Sequence, residues 1–356
     1  MTTAELGLLR LVAQRVAGPG LPRPADVVRH LTAMQAQAFP AAVEAVTVRT
    51  ADRDPDAVVG ALNSGEIVRS WPMRGTLHLV PAEDLGWMLD ITGQRQTASS
   101  ARRRAELGVD ATVIERASTV ATDALSGGLA LSRDELMTLW REAGLIGPGQ
   151  AGAHLLSYLA QRGQLVLGPV RDRRQRIVLT EEWITAPRRL VREEALGEWA
   201  RRYFRSHGPA TVRDFAWWTK LTLADARIGL DLARPELDRL EVDGTTYHLD
   251  PEVPERLAGL RRAARRPLLL PAFDEIILGY QDRSAVLTRE EERLVVPGGN
   301  GVFRPIIASG GRVVGTWRRE GARRDITVEP FTTLRPAAQR AALRLIRHYP
   351  TAPVTG

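Results

Sequence analysis

The stretch "LSRDELMTLWREAG", Leu131–Gly144, decides how the chain is read. Ser132 followed three residues later by Glu135 is a capping box, so a helix starts there and stops near Gly144. "GQAGAHLLSYLAQRG", residues 149–163, carries apolar residues at helical spacing and ends on Gly163, which predicts a second helix. "QLVLGPVRDRRQRIVLT", residues 164–180, reads as two strands around a polar, arginine-rich turn. Two helices followed by a β-hairpin are the core of a winged helix.

The same order recurs on the C-terminal side. "VREEALGEWARRYFRSHG" supplies a leading helix, and "TVRDFAWWTKL" starts a second with Thr211 as cap and Asp214 in its first turn. "TLADARIGLDLA" starts a third with Thr222 and Asp225, and "LDRLEVDGTTYHLD" is a hairpin turning at Asp243-Gly244. The N-terminal part is looser. Helices at "LGLLRLVAQRVA", "ADVVRHLTAMQ" and "PDAVVGALNSG" precede the strand-like runs "EIVRSWP" and "GTLHLVP". The expected fold class is α+β, with three tandem winged-helix units over residues 1–108, 109–190 and 191–252. Residues 253–356 form the last domain. Its short runs "PLLLPAFDEIILGY", "RLVVPGG", "VFRPIIASGG", "RVVGTWRR" and "DITVEPF" read as strands of a small β-rich domain or partial barrel. An amphipathic helix, "AAQRAALRLIRHY", closes the chain.

A chain of 356 residues is too long for one ordinary core, and a 44% apolar fraction excludes global disorder. The 49 basic residues outnumber the 42 acidic ones, and Lys220 is the single lysine among them. Codon bias accounts for much of the arginine. The net charge of +7 still favours a polyanion, because guanidinium forks match phosphate. Cysteine is absent, which excludes disulfides, thiolate metal sites and a cysteine nucleophile. The histidines, His30, His78, His154, His207, His248 and His348, are scattered and form no ligand pair, so neither metal nor cofactor is expected. No signal-like start and no apolar run of membrane-spanning length is evident, and a cytoplasmic monomer is expected.

"MQAQAFP", Met34–Pro40, holds two glutamines two apart. Pro40 disfavours helical geometry at Phe39, so the helix beginning near Ala25 is expected to end around Gln35 and the following segment to splay. In an extended segment both amides face one side. Together they can hold a water or read a base edge. Spacing alone favours ordinary polar residues at a helix end.

The blocks "MQAQAFP", "RSWPMRGTLHLVP", "HGPATVRDFAWW", "LLPAFDEIILGYQDRSAVL" and "NGVFRPIIASGGRVVGTWRR" together resemble the bacterial winged-helix DNA glycosylases of the AlkZ and YcaQ type, over nearly the whole chain. In that family a Gln-x-Gln or Gln-x-Asp motif carries catalysis, and this chain has the Gln-x-Gln form at Gln35 and Gln37. The resemblance implies a monofunctional DNA glycosylase. Its substrate would be double-stranded DNA carrying N7-alkylated purines, including bulky or crosslinked adducts of natural genotoxins. The competing reading is a non-catalytic winged-helix regulator or a drug-sequestering protein.

Other residues have two readings. Arg171, Arg173, Arg174 and Arg176 crowd a hairpin tip that is either a solvated turn or a wing gripping DNA, and Arg74 sits at another expected turn where it could touch DNA. Lys220 is the only side chain able to form a Schiff base. A phosphate contact or solvation in its helix–helix turn fits it better. Asp274 and Glu275 are adjacent in a presumed strand, which points them to opposite faces and argues for a structural salt bridge, to Arg283, over an acid/base pair. "GGNG" lacks the lysine of a phosphate-cradling Walker loop.

Overall fold

A computed structural model of the chain describes residues 3–320, 325–332, 340 and 344–355. It is a mixed helix and sheet protein. The elements follow in chain order. Helix α1 (Thr3–Ala13) and α2 (Pro24–Leu31) precede a two-residue strand, β1 (Met34–Gln35), then α3 (Phe39–Thr47) and α4 (Pro55–Asn63). The hairpin β2–β3 (Ile67–Met73, Thr76–Pro81) leads into α5 (Leu85–Ser99), α6 (Ala101–Glu106), α7 (Ala111–Leu125), α8 (Arg133–Glu142) and α9 (Ala151–Gln161). A second hairpin, β4–β5 (Leu165–Arg171, Arg174–Leu179), is followed by α10 (Thr180–Trp183), α11 (Arg192–His207), α12 (Val212–Thr219) and α13 (Leu223–Ala233). The third hairpin is β6–β7 (Asp238–Val242, Thr245–Leu249). The last part holds α14 (Val253–Ala264), β8 (Leu268–Leu270), α15 (Glu275–Leu278), α16 (Arg289–Val295) and β9–β11 (Ile306–Ser309, Arg312–Glu320, Asp325–Pro330).

One order appears three times: helix, extended segment, two helices, hairpin. It runs α2–β1–α3–α4–β2–β3, then α7–Leu131–α8–α9–β4–β5, then α11–Ala210–α12–α13–β6–β7. In the second and third copies the extended residue bridges the hairpin, Leu131 to Ile177 and Ala210 to His248. The caps that the sequence predicts form here. Ser132 Oγ accepts from Glu135 N at 3.2 Å while the Glu135 carboxylate accepts from Ser132 N at 2.6 Å, and Thr211 with Asp214 repeats the box. All three hairpins turn on two residues of positive φ: Arg74-Gly75, Asp172-Arg173 and Asp243-Gly244. That is the geometry whose twist matches flanking strands.

Two compact units result, residues 1–58 with 196–352, and residues 59–195 with 353–356. The second unit carries an antiparallel run β3-β2-β4-β5 and a core of α7, α8 and α9 side chains built around Trp140 and Leu155. In the first unit, β8–β11 form a four-stranded antiparallel sheet in the order β11-β10-β9-β8. Its core gathers Leu6, Leu9 and Val12 of α1 with Leu257 of α14 and Ile276, Ile277 and Val286 beyond it. Helix α1 runs so close to the β9–β10 turn that a Cβ on Gly7 would fall 1.8 Å from Gly311 O. Only glycine fits there.

Three expectations need correction. Helix α2 ends at Leu31, not near Gln35. Thr32 caps it at φ 69°, a left-handed conformation costly for a β-branched residue. Pro40 does not merely close a segment but occupies the first turn of α3, where its missing N–H is no loss, and this helix had no reading in the sequence. "DEIIL" and "ERLVV" are helical, not strands, because Asp274 and Thr288 cap them by accepting from Ile276 N and Glu291 N. Of the closing helix, residues 344–347 are helical, while 337–339 and 341–343 lie outside the described residues.

The joint between α1 and α2 carries a titratable group. His30 Nε2 donates to Ala13 O at 2.7 Å, and burial pushes its pKa down to about 4. The unfolded ring takes its proton near pH 6.5, roughly the free value, so the folded state binds fewer protons between these limits. Folding stability should therefore fall as the pH drops from about 6.5 to about 4. His30→Gln should flatten that decline in urea unfolding at pH 7, 5.5 and 4.5; an identical decline in both proteins would refute the assignment.

Candidate active site

The glutamine segment is extended. Gln35 ends β1, Ala36 and Gln37 follow without regular structure, and α3 begins at Phe39. Gln35 is buried and Gln37 exposed. The two are joined locally: Gln37 N donates to Gln35 Oε1 at 3.2 Å, which orients the Gln35 amide. One acceptor lobe of Oε1 and the amide N–H groups remain for other partners.

Beneath this segment lies a carboxylate. Gln35 N donates to Glu275 Oε1 at 3.0 Å, and Trp218 Nε1 donates to Glu275 Oε2 at 2.9 Å. Glu275 is only 1% exposed. The His207 ring stacks on Tyr203 and sets Nε2 3.4 Å from Glu275 Oε2. Burial lowers the His207 pKa, although Glu275 opposes the shift, so the ring favours its neutral form. Tyr280 completes the layer by donating to His207 O at 2.6 Å, and burial pushes its phenol up.

One ion pair holds Glu275 in place. Arg49 donates to both Asp274 oxygens, at 2.8 and 2.9 Å, and neither side chain is exposed to solvent. Gln14 ties this pair to the carboxylate layer. Its Oε1 accepts from Arg49 at 3.1 Å while its Nε2 donates to Glu275 O at 3.2 Å and Tyr280 Oη at 3.1 Å. The partner of Asp274 is thus Arg49, not Arg283, whose own partner is Glu292. The opposite-faces argument also falls, because the two acids sit at a helix start: Asp274 is the cap and Glu275 the first helical residue.

The other expected site residues divide by their surroundings. Arg171, Arg173 and Arg174 are exposed around one turn, with Arg174 in a long 3.5 Å contact to Asp134. Arg173 O accepts from Thr355 N at 2.8 Å, which fixes the backbone of that turn. Arg74 is half-buried in its turn, 3.2 Å from His78 Nε2. Lys220 is exposed and left-handed, at φ 61°, between α12 and α13, as the turn reading expected. Among the described residues no group of acids and histidines could hold a metal ion.

Sequence reasoning missed Gln14, Arg49, His207 and Trp218 as supports of the motif. One signal was present. Arg10, on the face of α1 that also carries Leu6, and Gln14, just past its end, stand four apart, and polar groups in an apolar stripe need buried partners. Arg49 and His207 left no such trace.

A family model described as DNA glycosylase AlkZ-like matches residues 28–348. The chain belongs to the AlkZ-like DNA glycosylase family. It is similar to the interstrand DNA cross-link repair glycosylase of Streptomyces sahachiroi, 27% identical over 329 residues, which cover 87% of this chain and 85% of that protein. The solved structure of Streptomyces sahachiroi DNA glycosylase AlkZ matches with a TM-score of 0.77 and 25% identity, covering 100% of this chain and 98% of that one. Membership in a DNA glycosylase family makes DNA the polyanion that the basic charge favours. Among the described residues no helix is long and apolar enough to cross a membrane.

For the support of the motif, breaking the buried pair should be severe. Arg49→Met leaves the Asp274 charge buried and unmatched, and should cost about 3–5 kcal/mol in denaturant unfolding. Arg49→Lys should recover only part, since it restores charge without the fork. A loss below about 1 kcal/mol for Arg49→Met, the range of an exposed pair, would show that the pair is not a support.

Proposed function

We propose that the protein is a monofunctional DNA glycosylase that hydrolyses the N-glycosidic bond of N7-alkylated purines, with Gln35 and Gln37 as the residues that position the attacking water. The observation that carries this reading is the glutamine segment itself. It is extended, partly open to solvent, and anchored from below by the buried Glu275. Its family membership makes a glycosidic bond the reasonable target.

The chemistry suits neutral amides. An N7-alkylpurine is cationic, so its C1′–N9 bond breaks without prior protonation and the bond electrons neutralise the ring. A water oxygen then bonds to C1′ and its proton passes to solvent, leaving an abasic sugar and a neutral base. No general acid is needed. The protein has to place the water and tolerate an oxocarbenium-like transition state. Placement alone contributes up to about 7–11 kcal/mol in the best cases. The buried Glu275 carboxylate sits behind the motif, where in its ionised form it would favour a developing cation without touching the reacting atoms.

The three repeated helix–strand–helix–helix–hairpin segments fit winged helices. In the first of them Gln35 ends the short strand and Gln37 follows it, ahead of the second helix, so a DNA-binding module carries the motif. The hairpin tips bearing Arg74 and Arg171, Arg173 and Arg174, and Lys220 at its helix–helix turn, are offered as contacts to phosphate. The protein would act as a cytoplasmic monomer on double-stranded DNA, without metal or cofactor. Bulky or crosslinked adducts are compatible with a motif of which one amide is exposed.

Gln35→Ala and Gln37→Ala should each slow release of N7-methylguanine from alkylated duplex at least tenfold, with DNA affinity nearly unchanged. Wild-type rates in both variants would overturn the assignment, and base release by neither variant nor wild type would favour a non-catalytic binder.

The product strand should retain an intact abasic site, cleaved only after alkali or an abasic-site endonuclease is added. Borohydride should trap no covalent adduct. A trapped adduct lost in Lys220→Ala would replace hydrolysis by a Schiff-base mechanism.

A further inference from the structure

A cavity of about 650 Å³ opens on the same unit as the glutamine motif. One wall is a single face of α16, where Arg289, Glu292 and Arg293 follow at helical spacing, with Val296 just past its end. The facing wall is the loop after it, in which Gly298, Gly299 and Gly301 have φ of 72°, 61° and 77°. A Cβ placed on any of these three would meet nothing within 4 Å, so this wall is open backbone.

Arg283 lies at the base. Its Nε donates to Ile277 O at 2.9 Å, Nη1 donates to Glu292, and the guanidinium carbon lies 5.4 Å from the Trp217 ring centre and 5.3 Å from that of Phe303. Both of its immediate charge and ring partners hold it still, so little side-chain entropy remains to be lost on binding. Arg289 and Arg293 are exposed on the rim, and no hydrogen bond or ion pair to their guanidinium groups occurs among the described residues. Three guanidinium groups against one carboxylate, itself engaged by Arg283, make a basic hollow. Its donors suit a tetrahedral oxyanion, and its glycine wall lets a bulky chain approach closely.

The hollow shares its supports with the glutamine motif. Trp218, which donates to Glu275 under Gln35, is followed back along α12 by Trp217, which lies against Arg283. Arg283 is in turn bonded to Ile277 O in the short helix that Glu275 begins. We propose that this hollow binds a backbone phosphate of the DNA, anchoring the strand on the unit that carries Gln35 and Gln37. The inference rests on the glycosylase reading for its ligand, but not on catalysis.

The test uses the full chain with Arg289→Gln and Arg293→Gln combined, both at exposed positions. Binding of undamaged duplex is followed by fluorescence anisotropy from 50 to 200 mM salt, roughly the range over which counterion release is most visible. Affinity should fall about tenfold at the lowest salt, and the log–log salt slope should become shallower by about 1–2, the loss of one or two phosphate contacts. Single-turnover base release at saturating DNA should stay within about twofold of wild type. An unchanged affinity and slope would overturn the proposal. So would loss of binding to a nucleoside monophosphate with DNA binding intact, which would make the hollow a site for free phosphate compounds. A shallower slope in a protein that releases no base would leave the hollow standing and remove only the catalytic reading.

Discussion

The fork between Arg49 and Asp274 holds the rest of the site together. Two opposite charges removed from water are worth keeping only if every remaining donor and acceptor is met. Here they are met closely. Arg49 also donates to Ala45 O and Gln14 O, and Asp274 caps α15 by accepting from Ile276 N. The pair therefore fixes where α15 begins, and with it the position of Glu275. A shift of the cap by one residue would turn Glu275 away from Gln35 N and leave a buried carboxylate without that donor.

The consequence is a division of labour between charge and contact. The acidic side chains near the motif, Glu275 and Asp274, are buried, while the exposed member of the motif, Gln37, is an amide. Strain gathers at the same place. Thr32 at φ 69° precedes the motif and Phe273 at φ 60° precedes Asp274, so a left-handed residue introduces each half of the Gln35–Glu275 contact. Such conformations persist only where packing over-determines them.

The aromatic layer under Glu275 gives the support its rigidity. Tyr203, His207, Phe215 and Trp218 pack ring against ring, and Tyr203 Oη donates to Gly279 O at 2.7 Å just beyond α15. Arg10 lies 3.6 Å from the centre of the Tyr280 ring and donates to Pro209 O, which binds α1 to the same layer. Residues from both ends of the sequence thus meet under a motif that lies near the start.

Local chemistry was legible in the sequence wherever neighbours in the chain decide the structure. Ser132–Glu135 and Thr211–Asp214 place helix starts because a cap bonds to a backbone N–H three residues away, and Asp243-Gly244 places a turn because few other pairs accept positive φ. An end of the preceding helix ahead of Gln37 was expected from Pro40, but α3, which begins at Phe39 within the segment that follows the motif, was not. What the sequence left undecided were elements whose identity depends on remote partners. The run "DEIIL" carries a local cap in Asp274, but that cap is held in the core only when Arg49, 225 positions earlier in the chain, meets it. Glu275 reads as half of an acidic pair, and becomes the floor of the motif only because folding brings it 3.0 Å from Gln35 N. Buried charge is settled by tertiary structure, because its cost is removed only by partners that the chain supplies from far away.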